Sequence, residues 1–214
     1  MWDDNLEHLL QSPSAVRRVT NFAALEWKLL PHFFADLSKI ETTTSLTLQF
    51  LILTASRTSE VLGCLRKEIH IDKQLWCIPG KRMKARYDHT VALSHEATRL
   101  IETQMRKHNR QLIFENPHVG GPLSNNAMRS LLIKRFPEHR ITTHGFRSTY
   151  RDWAAEQGKY DFVAIEKTLA HQFKNSTTGS YLRSSLIDQR RALMQDWSHF
   201  AHRKIQKAAQ RTLN

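Results

Sequence analysis

The chain has 214 residues, 40% of them apolar, which allows one large domain or two small ones around a sizeable core and excludes a disordered polymer. Lys and Arg number 32 against 20 Asp and Glu, a formal net charge of +12, so a polyanionic partner is expected, most commonly nucleic acid, although charge alone also fits an inert basic surface or a ribosome-associated protein. The longest apolar run, Phe50-Leu51-Ile52-Leu53, is far short of the roughly 20 residues of a membrane span, and Met1-Trp2-Asp3-Asp4 is acidic where a signal peptide is positive, so no membrane segment and a soluble, cytoplasmic protein are expected.

The first 13 residues read as a tail or the end of a linker. From Val16 to Leu30 the apolar positions Val16, Val19, Phe22, Ala23, Leu25 and Leu29 fit a helix that Pro31 closes. Thr42 to Thr54 is predicted as a second helix, apolar almost all round and therefore central in the core. A short helix from Thr58 to Leu65 follows. The period then changes to two: residues 68–72 and 75–78 are predicted strands joined by an Asp-Lys turn, and residues 90–93 are a third. The polar span from Lys81 to His89 is expected as an exposed hairpin tip. Ser94 suits the N-cap of a helix reaching about Asn109. Leu112-Ile113-Phe114 leads into a loop, and Asn125 to Phe136 is helical. Phe146, Tyr150, Trp153 and Ala154 share one face of the next helix, which Gly158 ends, and Phe162 to Leu169 forms another. A polar loop, Asn175-Ser176-Thr177-Thr178-Gly179, precedes Tyr181, and Leu186, Leu193, Trp197 and Phe200 stripe a long basic C-terminal helix. The predicted class is mainly α with one small antiparallel β-sheet (α+β).

Two cysteines, Cys64 and Cys77, are expected as reduced thiols, and without a CxxC pair they do not suggest zinc. His199 and His202 can share a helix face, but no HExxH or paired carboxylate motif accompanies them, so no metal centre is expected.

Three clusters carry candidate chemistry. In Thr54-Ala55-Ser56-Arg57-Thr58-Ser59-Glu60 an arginine sits where an apolar helix meets the next one, and a charge beside a core is costly unless paired or given a task. Pairing with Glu60 is a sufficient reason for it. In Thr143-His144-Gly145-Phe146-Arg147, His144 and Arg147 lie three apart at a helix start, where free N–H groups favour an anion. A solvated arginine with a partly buried histidine fits equally. The third cluster is Leu169-Ala170-His171, followed ten residues on by Tyr181. Of the four tyrosines, Tyr150 falls on an apolar helix face, Tyr160 in a turn and Tyr87 in the hairpin tip. Tyr181 follows a polar loop, which suits a side chain that must enter and leave a site. By itself it also reads as an ordinary half-buried aromatic.

Taken together, the order Arg57, a hairpin lysine, His144-x-x-Arg147, His171 and Tyr181 resembles the tyrosine recombinase family. The strings Leu-Thr-Ala-Ser-Arg-Thr-Ser-Glu-Val-Leu, Ile-Pro-Gly-Lys-Arg-Met-Lys, His-Gly-Phe-Arg-Ser-Thr and Thr-Leu-Ala-His are similar to those of phage and genomic-island integrases, over roughly Pro31 to Trp197. Any one string is weak; four in order, with the tyrosine at the right distance, are strong.

The resemblance implies the catalytic-domain fold of that family over residues 21–214, with 1–20 a tail or linker and the core-binding and arm-binding domains absent. It implies site-specific DNA recombination and integration through a 3′-phosphotyrosyl intermediate. Arg57 and Arg147 clamp the non-bridging phosphate oxygens, a task that suits planar guanidinium. Tyr181 is the nucleophile and His144 its acid/base helper. His171 donates to the phosphate, and Lys84 protonates the leaving 5′ oxygen, with Lys81 the alternative. Glu60 orients Arg57. No cofactor or metal is implied, since the arginines supply the charge. The expected partner is double-stranded DNA at attachment sites, bound as a homotetramer by a chain that is monomeric in solution. An inactive DNA-binding remnant and a type IB topoisomerase-like enzyme are the rival readings, with a metal nuclease behind them.

Overall fold

The computed structural model describes residues 23–171 and 186–212, with side chains as far as Gln206. Eleven regular elements follow in order: α1 (Leu30–Ser38), α2 (Thr43–Thr54), α3 (Thr58–Leu62), β1 (Ile69–His70), β2 (Leu75–Ile78), β3 (His89–Ala92), α4 (His95–Lys107), α5 (Ala127–Arg135), α6 (Gly145–Glu156), α7 (Phe162–Thr168) and α8 (Ile187–Thr212).

The helix expected up to Leu30 differs from what is observed. Its first part, through residue 22, lies outside the described residues. Residues 23–29 are irregular with one 3₁₀ turn, Trp27–Leu29, and the α-helix begins at Leu30. Pro31 occupies the first turn of α1, where its fixed φ is already helical and its missing N–H has no intrahelical partner to lose. Pro31 thus opens a helix instead of closing one. α1 then buries Phe33, Phe34 and Leu37.

α2 is the central helix, and it touches α1, α3, α4, α5, α6 and α8. Thr42 caps it, its hydroxyl accepting from the Ser45 N–H at 3.2 Å. Every residue from Thr47 to Thr54 is buried. Its buried hydroxyls return to carbonyls, Thr54 Oγ1 donating to Phe50 O at 2.7 Å, so the polar atoms in this apolar setting are satisfied.

The sheet has the order β1-β2-β3, antiparallel throughout. Trp76 pairs with Val91 and Ile78 with His89, so β3 begins at His89, one residue earlier than the alternation suggests. The span expected as an exposed tip is anchored at its base. Gly80–Arg82 forms a 3₁₀ turn, Met83 is buried, and Arg82 reaches inward to the Glu68 carboxylate and, at 2.7 Å, to Glu60 O. A side chain at Gly80 would lie 2.5 Å from Arg86 O, so the two sides of the hairpin can pass this closely only at glycine.

α8 lies along α1 of its own chain. Leu193, Met194, Trp197 and Ala201 are buried, and Trp197 Nε1 donates to Ile52 O at 2.8 Å. Leu186 falls before the helix, with a left-handed φ of 48°. Cys64 and Cys77 are both free thiols. Among the described residues, no helix is long and apolar enough to cross a membrane.

Candidate active site

The site is assembled from helix ends. α2 stops at Thr54, and Ala55 takes a left-handed conformation (φ 50°) that turns the chain and leaves its carbonyl off the helix. Arg57 then caps α3. Its N–H donates to Glu60 Oε2 and its Nη1 to Glu60 Oε1, both at 2.8 Å. Glu60 is buried and holds the guanidinium from behind. Arg57 Nη2 reaches Ala170 O at 3.5 Å.

The second arginine is held by two helix ends at once. Arg147, in the first turn of α6, is 4% exposed. Its Nη1 donates to Ala55 O and its Nη2 to Leu169 O, each at 2.6 Å, and Nη2 lies 3.3 Å from His171 Nε2. These carbonyls sit at the negative ends of α2 and α7, where a cation is favoured. Burial, and then the charge of Arg57, pull Arg147 down to about 10, so it stays charged at neutral pH.

α7 ends in a left-handed turn of the Schellman type. Asp161 opens the helix by accepting from Val163 and Ala164 N–H. At the other end Ala170 has φ 50°, its N–H donates to Lys167 O, and His171 N–H donates to Glu166 O at 3.0 Å. That geometry releases the carbonyls of Leu169 and Ala170 to the two arginines and folds His171 back over the helix.

His144 immediately precedes α6, and it is exposed. Thr58 Oγ1 donates to Thr143 Oγ1 at 3.2 Å, which ties the start of α6 to the start of α3. Gly145 is required next, since a Cβ there would lie 2.1 Å from Ala23 O. Burial lowers the His144 pKa, and the charges of Arg147, Arg57, His171 and Lys84 lower it further. Lys84, exposed on the hairpin tip, is thus among the charges that act on this imidazole. Lys81 is exposed on the same hairpin. The structure thus brings together Arg57, Glu60, His144, Arg147 and His171, with Lys84 beside them. Tyr181 lies outside the described residues, between His171 and Leu186.

Residues 21–186 match the phage integrase family. The chain belongs to that family. Among similar proteins, the prophage integrase IntZ of Escherichia coli (strain K12) is 31% identical over 191 residues, covering 88% of this chain and 47% of that protein. The integrase of Enterobacteria phage P4 is 27% identical over 92% of this chain and 49% of its own length. The chain thus spans about half the length of the curated integrases it matches. In fold it is similar to the XerH site-specific recombinase solved bound to its difH substrate, with TM-score 0.59 and 16% identity over 75% of this chain and 50% of that one. The mainly α architecture with a three-stranded antiparallel sheet is thus the tyrosine recombinase catalytic-domain fold.

Four residues of this integrase domain were not legible as part of the site. Glu166 and Arg151 stand behind His171. His89, at the start of β3, is driven down to about 3 by burial and then by Arg190, Arg57 and Arg147, against a hydrogen bond to the Thr168 backbone, and it stays neutral. Arg190, in the first turn of α8, is 3% exposed; its Nε reaches Thr168 Oγ1 at 3.3 Å and its Nη2 donates to Thr90 O. In the sequence Arg190 is one cation among many on a basic helix, and only the fold shows which one turns inward. The nearest sequence clue to Glu166 was its place on the helix that ends in Leu-Ala-His.

Proposed function

We propose that this integrase-family domain, residues 21–214, cuts and rejoins double-stranded DNA by metal-independent transesterification, with Tyr181 as nucleophile. The observation that carries the reading is the meeting of two guanidiniums and two imidazoles around the ends of α2 and α7 and the start of α6, with the carboxylates Glu60 and Glu166 tied up in ion pairs. Such a site is built to receive an anion that gains charge as it reacts.

In the forward step the Tyr181 phenol oxygen attacks the phosphorus, the P–O5′ bond breaks, and a 3′-phosphotyrosyl link and a 5′ hydroxyl result. A phenol with a pKa of about 10 is a weak nucleophile at neutral pH. His144, whose pKa is lowered by burial and then by its cationic neighbours, is suited to take the phenol proton. Arg57 and Arg147 stabilise the non-bridging oxygens, and His171 donates to one of them. Lys84 delivers a proton to the leaving O5′; the influence of its charge on His144 favours it over Lys81. Attack by the 5′ hydroxyl of a second strand runs the same step backwards, so the exchange needs no external energy source. The solved XerH recombinase is bound to a DNA substrate, and the net charge of +12 suits the same partner here. We propose action at attachment sites in the cytoplasm, with the chain monomeric in solution and assembling as a homotetramer on DNA.

The test is a nicked suicide duplex on which cleavage traps the covalent adduct. Tyr181→Phe should bind this DNA as the wild type does and form no adduct. A full yield from that variant overturns the assignment of Tyr181. Relaxation of supercoiled plasmid without strand exchange between sites would point to a topoisomerase instead.

A further inference from the structure

The end of α7 carries a contact that packing alone does not explain. In a Schellman turn the third-last helical residue and the second residue past the cap lie side by side, and the contact between them is commonly apolar. Here the two are Glu166 and His171, and the contact is a hydrogen bond, His171 Nδ1 to Glu166 Oε2 at 2.8 Å. Glu166 is only 7% exposed, and burying a carboxylate is costly unless it is paired. Both its oxygens are committed, since Oε1 accepts from Arg151 Nε at 2.6 Å.

We propose that Glu166 is a positioning residue for His171: its carboxylate holds the proton on Nδ1, and so aims Nε2 into the site beside Arg147. This rests on the phosphotransfer reading above. A carboxylate is an acceptor only, so the proton of the 2.8 Å contact belongs to the imidazole Nδ1. Nε2 is then the nitrogen 3.3 Å from Arg147 Nη2. When His171 is neutral, Nε2 accepts from Arg147; when it is protonated, Nε2 donates to a phosphate oxygen placed against the same arginine. A carboxylate behind an imidazole fixes tautomer and ring orientation in this way at metal centres, and here the group in front is a guanidinium.

The surroundings agree. Burial pushes the Glu166 carboxyl up, but the hydrogen bonds and charges of His171 and Arg151 outweigh it and hold the group below the ordinary carboxylate range. The groups facing His171 are Glu166 on α7, with Arg151 behind it, Arg147 on α6, Arg57 through the adjoining Ala170 carbonyl, and His144, whose own pKa is lowered in part by the His171 charge. Arg151 is half exposed on its outer side, so Glu166 is clamped between solvent-facing and site-facing partners.

The experiment records the ring nitrogens of His171 in long-range ¹H–¹⁵N spectra of the 214-residue chain at pH 8, assigned by loss of the signals in His171→Gln. The wild type should show the Nδ1–H tautomer. Glu166→Leu should shift the ring towards Nε2–H and lower the single-turnover rate on saturating nicked DNA by about 10- to 100-fold, with DNA affinity unchanged. Glu166→Gln still offers an acceptor oxygen and should keep the wild-type ring pattern. A wild type in the Nε2–H form overturns the proposal, and so does a folded Glu166→Leu with an unaltered ring. If Glu166→Leu does not fold, the wild-type spectrum alone decides. A wild type that forms no covalent adduct would sink the phosphotransfer reading, while the tautomer would still report on Glu166.

Discussion

The helix-end cluster and the β2–β3 hairpin hold their cations in opposite ways. Arg147 is buried with three partners at two helix ends, Ala55 O after α2 and, at the end of α7, Leu169 O and His171. Lys84 projects from an exposed tip whose fixed points, Arg82 and Met83, lie just before it. In the proposed reaction, the groups that would grip a phosphate in one geometry are built into the frame, and the group that would deliver a proton stands on an arm. The largest effect should therefore come from the frame. Arg147→Ala strips a donor from two carbonyls, Ala55 O and Leu169 O, as well as a charge from the site. It should cost about 2–4 kcal/mol of stability in chemical denaturation and roughly 10²–10³ in single-turnover rate. Normal stability with a normal rate would erase the distinction between frame and arm.

The arm has its own buried anchor. Glu68 is 4% exposed and accepts from Trp76 Nε1 at 3.1 Å and from Leu65 N–H at 3.2 Å, besides pairing with Arg82. Arg82→Met leaves that carboxylate with neutral donors only. Because the Arg82 side chain keeps 18% of its exposure, the expected loss is about 2 kcal/mol, below the usual cost of orphaning a fully buried charge. Adding Glu68→Gln should recover much of it, measured as a double-mutant cycle in urea. The rate should fall by about 10-fold, less than for the arginine of the frame, if Lys84 depends on this base for its position. A rate loss equal to that of Arg147→Ala would mean that the hairpin is as much part of the frame as the helix ends.

The difference between these regions also explains what the sequence revealed. α2, β2, the Ser94 cap and α4 were legible because hydrophobic period and capping chemistry are local. Arg57, His144, Arg147 and His171 were legible because their short strings resemble a family. α1 was not, since Pro31 reads as a stop until the chain before it is seen to be irregular. Glu166, His89 and Arg190 were not either, because what singles them out is burial among cations brought together by long-range packing. Short local strings point to the arginines and histidines of the cluster more readily than to the buried residues that hold them in place.

The smallest expected effect probes a frame residue that carries no charge. His89 has a folded-state pKa of about 3 against an ordinary 6.5, so the native state binds fewer protons than the unfolded chain between those values. Its contribution to stability is complete above pH 6.5 and is lost progressively as pH falls towards 3. By pH 5 the unfolded imidazole is almost fully protonated while the native one is not, a loss of about 1 kcal/mol after allowing for the partial exposure of the ring. His89→Gln keeps a donor for the Thr168 carbonyl and has nothing to protonate. Its melting temperature should therefore decline less than that of the wild type between pH 7 and pH 5, a window that ends before most carboxylates titrate. Parallel declines would mean that the His89 ring can take a proton without leaving the arginines, and that the cationic frame is looser than its hydrogen bonds imply.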